Sequence, residues 1–522
     1  MTRSTRLKKK PFHRVIFPRR ARLVPRPRSS ETSQLEIQSS ALPTDDLDQL
    51  RISTGNDAAT STMFSGYLIP DLFTSRQHLN DSLDTETSEK QDAVVQECLP
   101  FLSALTPGLR YNKYGIPSLD RKRHIAFLHR NLRRLPATYT SADASRPWIF
   151  YWALNGLATM GEDVSEYRTS LTETVRSIQN PTGGFGGGNG QMSHLAPSYA
   201  VVLALALVGG HESFDVIDRK AMWKWLGSLK QPDGGFQMAV GGEVDVRGAY
   251  CAVVIISLLN LPIELPRESP LWSREENRTL LTGLPEWITR CQSFEGGISS
   301  RPHAEAHGAF TFCALACLCI LEEPSKSIPR HLNVSRLMAW LSARQHTPEG
   351  GFSGRCNKLV DGCYSHWIGG CWPLIEASLI ALSAPNLDPN AEKSDDLMAS
   401  VSSGHLYSRE GLIRYILCCC QDQTERGGLR DKPCQMSDSY HTCYVLAGLA
   451  SAQTNWRFND KAKAEDIAGL LSAPFSWSSD PDIVEDQIYD EADRVKPLHP
   501  IFVIPEEAVV QIHTHFLNKQ NF

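Results

Sequence analysis

The stretch Gly350–Trp372, GGFSGRCNKLVDGCYSHWIGGCW, concentrates reactive side chains. Arg355, Lys358, Asp361, Cys363, Tyr364 and Trp367 bring two cations, a carboxylate, a thiol, a phenol and an indole into 13 positions. Residues two apart do not share a helix face, so Asp361 and Cys363 can serve one ion only from a turn or a helix N-terminus. Hard oxygen beside soft sulfur suits the borderline zinc ion. Such a site needs at least one more ligand, supplied from far downstream.

The elements able to hold these residues are internal repeats. Gln179 opens QNPTGGFGG, Gln231 QPDGGFQ, Gln292 QSFEGGIS, Gln345 QHTPEGGFSG and Gln421 QDQTERGGLRD, at spacings of 52, 61, 53 and 76 residues. Each unit ends an amphipathic segment, reverses at Gly-Gly and leads into a strongly apolar segment. Examples are SYAVVLALALVGG (198–210), AYCAVVIISLLNL (249–261), AFTFCALACLCIL (309–321) and SYHTCYVLAGLAS (439–451). A helix apolar all round is buried, and one with an apolar stripe covers it. The alternation therefore predicts an all-α fold, an α/α toroid: a double-layered ring of helix pairs in which Gly-Gly supplies the positive φ of each reversal. A closed ring leaves a central cavity lined by inner-helix N-terminal ends, whose free N–H groups favour anions.

At 41% hydrophobic and 21% charged, the 522 residues have an ordinary globular composition and can bury a core of several hundred residues. The net charge of −5 is uneven. Residues 1–30 hold 11 Lys/Arg and no acid, which leaves the remainder distinctly acidic and excludes a uniformly basic nucleic-acid footprint. The 14 cysteines sit in apolar runs, as Cys313, Cys317 and Cys319 do, or cluster as Cys418, Cys419 and Cys420. That is the habit of buried thiols in a reducing compartment, not of a disulfide framework. The longest apolar run, Ala309 to Leu321, has 13 residues against the ~18 of a membrane span.

The expected organisation has three parts. Residues 1–90 form a mostly disordered tail, basic and then Ser/Thr-rich, whose prolines at 11, 18, 25 and 27 oppose the amphipathic helix of a transit peptide. Residues 91–455 form the repeat toroid, with an inserted loop at about 383–396 and a basic-faced helix at 120–135. Residues 456–522 form a C-terminal extension with seven acids between Asp480 and Asp493, a surface or partner-facing segment.

Within the repeats, RPWIFYW (146–152), HLAPSYA (194–200), DVRGAYC (245–251), EAHGAFTFC (305–313), GRCNKLVDGCYSHW (354–367) and DSYHTCY (438–444) carry a resemblance. They resemble the β-subunit family of protein farnesyltransferase, within the prenyltransferase/terpene-cyclase toroids. The likeness runs from about residue 90 to 455 and is most specific in the last two strings. It implies that Asp361, Cys363 and His441 are zinc ligands. His441 falls in the first turn of an inner helix behind a Ser437 or Asp438 cap, and three protein ligands leave the open fourth position of catalytic zinc. It implies that Arg355, Lys358, His307 and Tyr364 meet a diphosphate. Lys432 becomes a further phosphate contact, and Asp431 the carboxylate beside a Mg2+ at the diphosphate. Tyr199, Arg247, Tyr250, Phe310, Cys313 and Trp367 fall on the lipid site; Trp148, Trp152, Tyr440, Tyr444 and His194 fall where the peptide is met or lipid length is read. Phe310 stands where the family usually has Tyr, and Gln435 where it usually has Lys near the diphosphate.

The activity so implied is zinc-dependent transfer of farnesyl from farnesyl diphosphate to the cysteine thiol of a C-terminal CaaX motif, on proteins such as small GTPases. The catalyst is a cytoplasmic heterodimer with a helical-repeat α subunit, using neither nucleic acid nor a membrane span. The same toroid is shared by the β subunit of type I geranylgeranyltransferase, by terpene cyclases and by any scaffold that has lost its chemistry. The protonating cyclases need a DxDD string, which is missing here, and a scaffold has no use for an open metal position.

Overall fold

Apolar-striped and fully apolar helices alternate along the chain, and their burial follows. The computed structural model describes residues 85–103, 108–133, 135, 137–380, 406–459, 471–480 and 487–519. The 1–84 part of the N-terminal tail and the loop at 383–396 lie outside the described residues. After α1 (Glu86–Ser103), outer and inner helices come in pairs: α2 (Arg121–Asn131) with α3 (Arg146–Thr159), α4 (Arg168–Ile178) with α5 (Leu195–Val208), α6 (Arg219–Leu229) with α7 (Val246–Leu258), and α8 (Leu284–Cys291) with α9 (Gly308–Leu321). Next, α10 (Val334–Ser342) pairs with an inner helix split into α11 (Tyr364–Trp367) and α12 (Cys371–Ile380). Last, α13 (Arg409–Arg414) runs into a π turn (Tyr415–Cys420) and pairs with α14 (Ser439–Ala452). Nearly every residue of α5 and α9 is buried, whereas α4 buries only Leu171, Thr172, Val175 and Ile178.

The inner helices pack in the cyclic order α3, α5, α7, α9, α11, α14, and α14 packs back on α3. Asn155 of α3 reaches Cys443 Sγ of α14 at 3.5 Å across this closure. Where α14 meets α11, Gly448 gives the room: a Cβ there would lie 2.3 Å from Ser365 Cβ.

The repeat residues explain the outer layer. Gln179 donates to Val216 O and accepts from Asp218 N, the N-cap of α6. Gln292 makes the same pair with Asn333, N-cap of α10, and Gln345 with Ser408, N-cap of α13. Gln421 closes the series on the first repeat, accepting from Asp120 N at 2.9 Å and donating to Ser118 O at 3.2 Å. Each of these glutamines thus ties one hairpin to the start of the next outer helix. Gln231 is the exception, donating among the described residues only to Leu229 O and Lys230 O. The first glycine of the hairpin is also a contact point. A Cβ on Gly183, at φ 98°, would sit 2.0 Å from Ala221 O of α6; one on Gly427, at φ 67°, would sit 2.5 Å from Arg123 O of α2. Only glycine meets both demands.

The C-terminal part adds what helical periodicity did not anticipate. β1 (Asn455–Phe458) and β2 (Trp477–Asp480) form an antiparallel ribbon, Asn455 facing Asp480 and Phe458 facing Trp477. Residues 498–504 enter the ring: Asn155 donates to Val503 O at 3.0 Å, and Tyr250 Oη donates to Ile501 O at 2.7 Å. Helix α15 (Glu506–Leu517) follows and packs on α5 and α7. Among the described residues no helix is long and apolar enough to cross a membrane.

Candidate active site

A buried helix must satisfy its first N–H groups. His194, Asp245, His307 and Asp438 do so by accepting backbone N–H bonds at the starts of α5, α7, α9 and α14. Polar side chains are thereby gathered at one end of the inner layer, and the expected site residues fall there.

Asp361, Cys363 and His441 form one cluster, their ligand atoms all within 4.8 Å of one another. It is the one such group of three among the described residues. Asp361 lies in the turn before α11, where its Oδ1 accepts from Cys363 N at 2.9 Å. Cys363 is the residue before α11. This turn is held by Gly362 N, which donates to Asp431 O at 2.7 Å. His441 comes from the first turn of α14. Asp438 Oδ1 accepts its N–H at 2.7 Å, and Asp438 Oδ2 lies 2.8 Å from its Nδ1. A carboxylate can only accept, so Nδ1 carries a proton and Nε2 faces the cluster, where a bound cation would take the place of its own proton. That Nε2 is buried and lies 3.2 Å from Asp361 Oδ1 without the geometry of a hydrogen bond.

The electrostatics ask for a cation here. Burial, reinforced by Asp361, pushes the Cys363 thiol up. Burial also opposes ionisation of Asp361, but the facing His441 and Lys432 hold its carboxyl down at about 2. Burial disfavours a charged His441, yet Asp361 and Asp438 together raise it well above an ordinary imidazole. An oxygen, a sulfur and an imidazole nitrogen converging on buried space are the donor set of zinc, with the carboxylate on the far side of the histidine as orienting partner. The residues fit a zinc ion.

The other expected polar residues have these settings. His307 Nδ1 accepts from Ala309 N at 3.1 Å, which leaves the proton on Nε2, 3.1 Å from Tyr364 Oη. Burial, with Arg355 adding, keeps this imidazole neutral, its pKa near 4. Arg355 pairs with Glu305 at 2.7 Å, and Lys358 is exposed. Lys432 is buried and paired to Asp431, whose carboxyl is lifted to about 6 by burial and by Asp361. Gln435 is half-buried in the following loop. His194 accepts from Ala196 N and is half-buried. Arg247 pairs with its own N-cap Asp245 and lies over the Phe310 ring, 5.3 Å from its centroid.

The aromatic residues join into a belt. Trp148 stacks on Trp152 at 5.6 Å and meets Tyr199 at 5.7 Å; Tyr199 meets Tyr250 at 5.5 Å, and Tyr250 meets Phe312 at 5.9 Å. Phe312 meets Trp367 at 5.7 Å, and Trp367 meets Tyr444 at 4.5 Å. Tyr444 meets Tyr440 at 5.0 Å, and Tyr440 returns to Trp152 at 5.3 Å. All six positions of the inner ring contribute. Trp148, Trp152 and Trp367 are half-buried, whereas Cys313 is buried. The belt contacts Cys363 through Tyr440 and Tyr444, so an apolar wall adjoins the charged cluster.

Sequence reading missed Phe312, and a signal for it existed. Tyr199, Tyr250 and Phe312 each stand five residues after the N-caps His194, Asp245 and His307. It also missed Glu305 as the partner of Arg355, which nothing local announces.

A family model described as the prenyltransferase alpha-alpha toroid domain matches residues 119–504. Over 484 residues the chain is 51% identical to protein farnesyltransferase subunit beta of Pyricularia oryzae, covering 92% of this chain and 90% of that one. It is 35% identical to the same subunit of Schizosaccharomyces pombe, covering 84% and 98% of the two chains. Among solved structures, Candida albicans protein geranylgeranyltransferase-I complexed with GGPP is similar at a TM-score of 0.52 and 21% identity, covering 78% of this chain and all of that one. This last likeness concerns the fold.

Proposed function

The chain belongs to the protein farnesyltransferase β-subunit family, and from that premise we propose that its chamber transfers farnesyl from farnesyl diphosphate to the cysteine of a C-terminal CaaX motif at a zinc site. Membership makes the chain the β subunit of a prenyltransferase, with an α subunit as its counterpart. The observation that carries the reading is the convergence of Asp361, Cys363 and His441 beside the aromatic belt. Asp361, Cys363 and His441 would hold the zinc ion. When bound, zinc supplies the positive charge that keeps a ligated thiol deprotonated at neutral pH.

The chain's own residues account for the rest. Asp438 fixes the His441 tautomer. The belt excludes water and receives the isoprenoid. The substrate sulfur bonds to C1 of the lipid as the C1–O bond breaks, and inorganic diphosphate leaves with the electron pair. His307 Nε2–H, Tyr364, Arg355, Lys358 and Lys432 stand where negative charge grows on the departing oxygens. Donors so placed lower the barrier, about a hundredfold in rate for one of them. Asp431 is the carboxylate available to a Mg2+ at the same diphosphate. Trp148, with Tyr444, limits the lipid to farnesyl length. The cysteines, all free among the described residues, fit the cytoplasm.

The test is transfer to a CaaX peptide by the chain co-expressed with an α subunit, using farnesyl and geranylgeranyl diphosphates side by side. Farnesyl transfer by the complex is expected, with neither subunit active alone. Preference for the longer lipid would overturn the assignment of substrate.

A further inference from the structure

Behind the belt lies a small cavity of about 20 Å³, lined by residues including His366, Ser451, Trp456, His499 and Val503. That is room for one water molecule. Two of the lining residues carry unpartnered polar atoms. His366 is 3% exposed, and its Nε2 has no hydrogen-bond partner among the described residues; Ser451 Oγ of α14 is likewise buried without one. His499, a further polar wall residue, is already engaged. His499 Nδ1 accepts from Ile501 N at 3.2 Å, and its Nε2 lies 2.8 Å from Pro474 O. A buried donor or acceptor left unsatisfied is costly, so two such atoms on residues that line one small cavity call for a shared partner.

What His366 touches gives the cavity its meaning. Its ring stacks on Tyr444, with centroids 5.4 Å apart and planes 22° apart, and lies 4.7 Å from Trp367 and 4.5 Å from Phe312. These are three consecutive members of the belt. His366 is thus the polar backing of an apolar wall, and whatever fixes its ring fixes theirs.

We propose that the cavity is a binding site for a single water that joins His366 Nε2 to Ser451 Oγ, and that His366 is through it a positioning residue for lipid choice. The first half stands on geometry alone; the second rests on the farnesyl-transfer reading above. In a packed wall a ring that cannot shift cannot admit extra carbons. Loosening His366 therefore lets Tyr444 and Trp367 yield to a longer isoprenoid. The C-terminal stretch becomes part of the same support, since His499 and Val503 line the cavity.

Two measurements decide the matter. A crystal structure of the αβ complex that resolves ordered waters should show one water within hydrogen-bond distance of both atoms; a dry cavity, or a water bonded to neither, overturns the proposal whatever the enzyme's substrate. With the complex assayed on both lipids, His366→Phe keeps the stacking ring without the nitrogen, and Ser451→Ala removes the other partner. Each should lower the farnesyl-over-geranylgeranyl ratio of kcat/KM about tenfold while farnesyl transfer persists. The double variant should be no worse than the worse single one, because both act through one water. Additive losses, or an unchanged ratio with a parent enzyme that does discriminate, overturn the positioning role. A parent that transfers neither lipid contradicts the functional reading instead and leaves the crystallographic arm to judge the water site.

Discussion

Asp438 Oδ2 lies 2.8 Å from His441 Nδ1 while its Oδ1 takes the His441 backbone N–H at 2.7 Å, so one carboxylate both starts α14 and aims a candidate ligand. The two duties can be separated. Asparagine caps a helix as well as aspartate does, but it cannot supply the charge behind the imidazole. Asp438→Asn should leave the melting temperature near that of the parent and lower metal affinity about 10–100-fold. Competition with a chelator measures it.

The ring is closed in its outer layer by Gln421, which bonds Asp120 N and Ser118 O and lies 2.9 Å from buried His124 Nε2. Gln421→Ala should cost about 1–3 kcal/mol, two or more net hydrogen bonds. Gln231→Ala should cost less, because among the described residues Gln231 bonds only within its own hairpin. Denaturant or thermal unfolding of the two variants side by side checks the order; equal losses would mean that the bonds between repeats contribute nothing special.

Glu349 is 1% exposed. One oxygen accepts from Gln91 of α1 at 2.8 Å, and the other has no partner among the described residues. Burial lifts its carboxyl from 4.5 to about 7. The folded state then holds a proton that the unfolded state has released between those two values, so stability falls as pH rises through that window. At about 1.4 kcal/mol per pKa unit the loss is on the order of 3 kcal/mol by pH 8. Glu349→Gln should be more stable than the parent at pH 8 and should flatten the dependence of melting temperature on pH between 5 and 8.

Trp148 meets Trp152 and Tyr199 in the belt. Forcing extra carbons into a packed wall costs about 1–3 kcal/mol. A smaller residue removes that cost, so Trp148→Thr should gain activity with geranylgeranyl diphosphate, on the order of tenfold, and remain folded. Proportional loss with both lipids and a collapsed melting temperature would make Trp148 a core anchor only.

How much of this was legible depends on range. The Gln and Gly-Gly repeats announced the toroid because they recur at the same place in each unit, next to an apolar segment. Asp361 and Cys363 stood out because a carboxylate and a thiol two apart are rare company in a turn. The tie from Gln421 to Asp120 was not legible, since 301 residues separate the partners. Nor was the entry of residues 498–504 into the ring, where Ile501 and Val503 offer carbonyls rather than side chains to Tyr250 and Asn155. Phe312 read as one more apolar residue of a buried helix; only alignment on the N-caps distinguishes it. The β ribbon pairs Asn455–Phe458 with a segment that begins 19 residues later, and strands of four residues leave little alternation to read.

The most direct measurement is elemental analysis of the purified αβ complex alongside turnover with a CaaX peptide, for the parent chain, Cys363→Ala and His441→Ala. About one zinc per β chain is expected in the parent. Each variant should lose metal and transfer together while unfolding near the parent's temperature. Full zinc and unchanged turnover in both variants would contradict the assignment of Asp361, Cys363 and His441 as the catalytic centre.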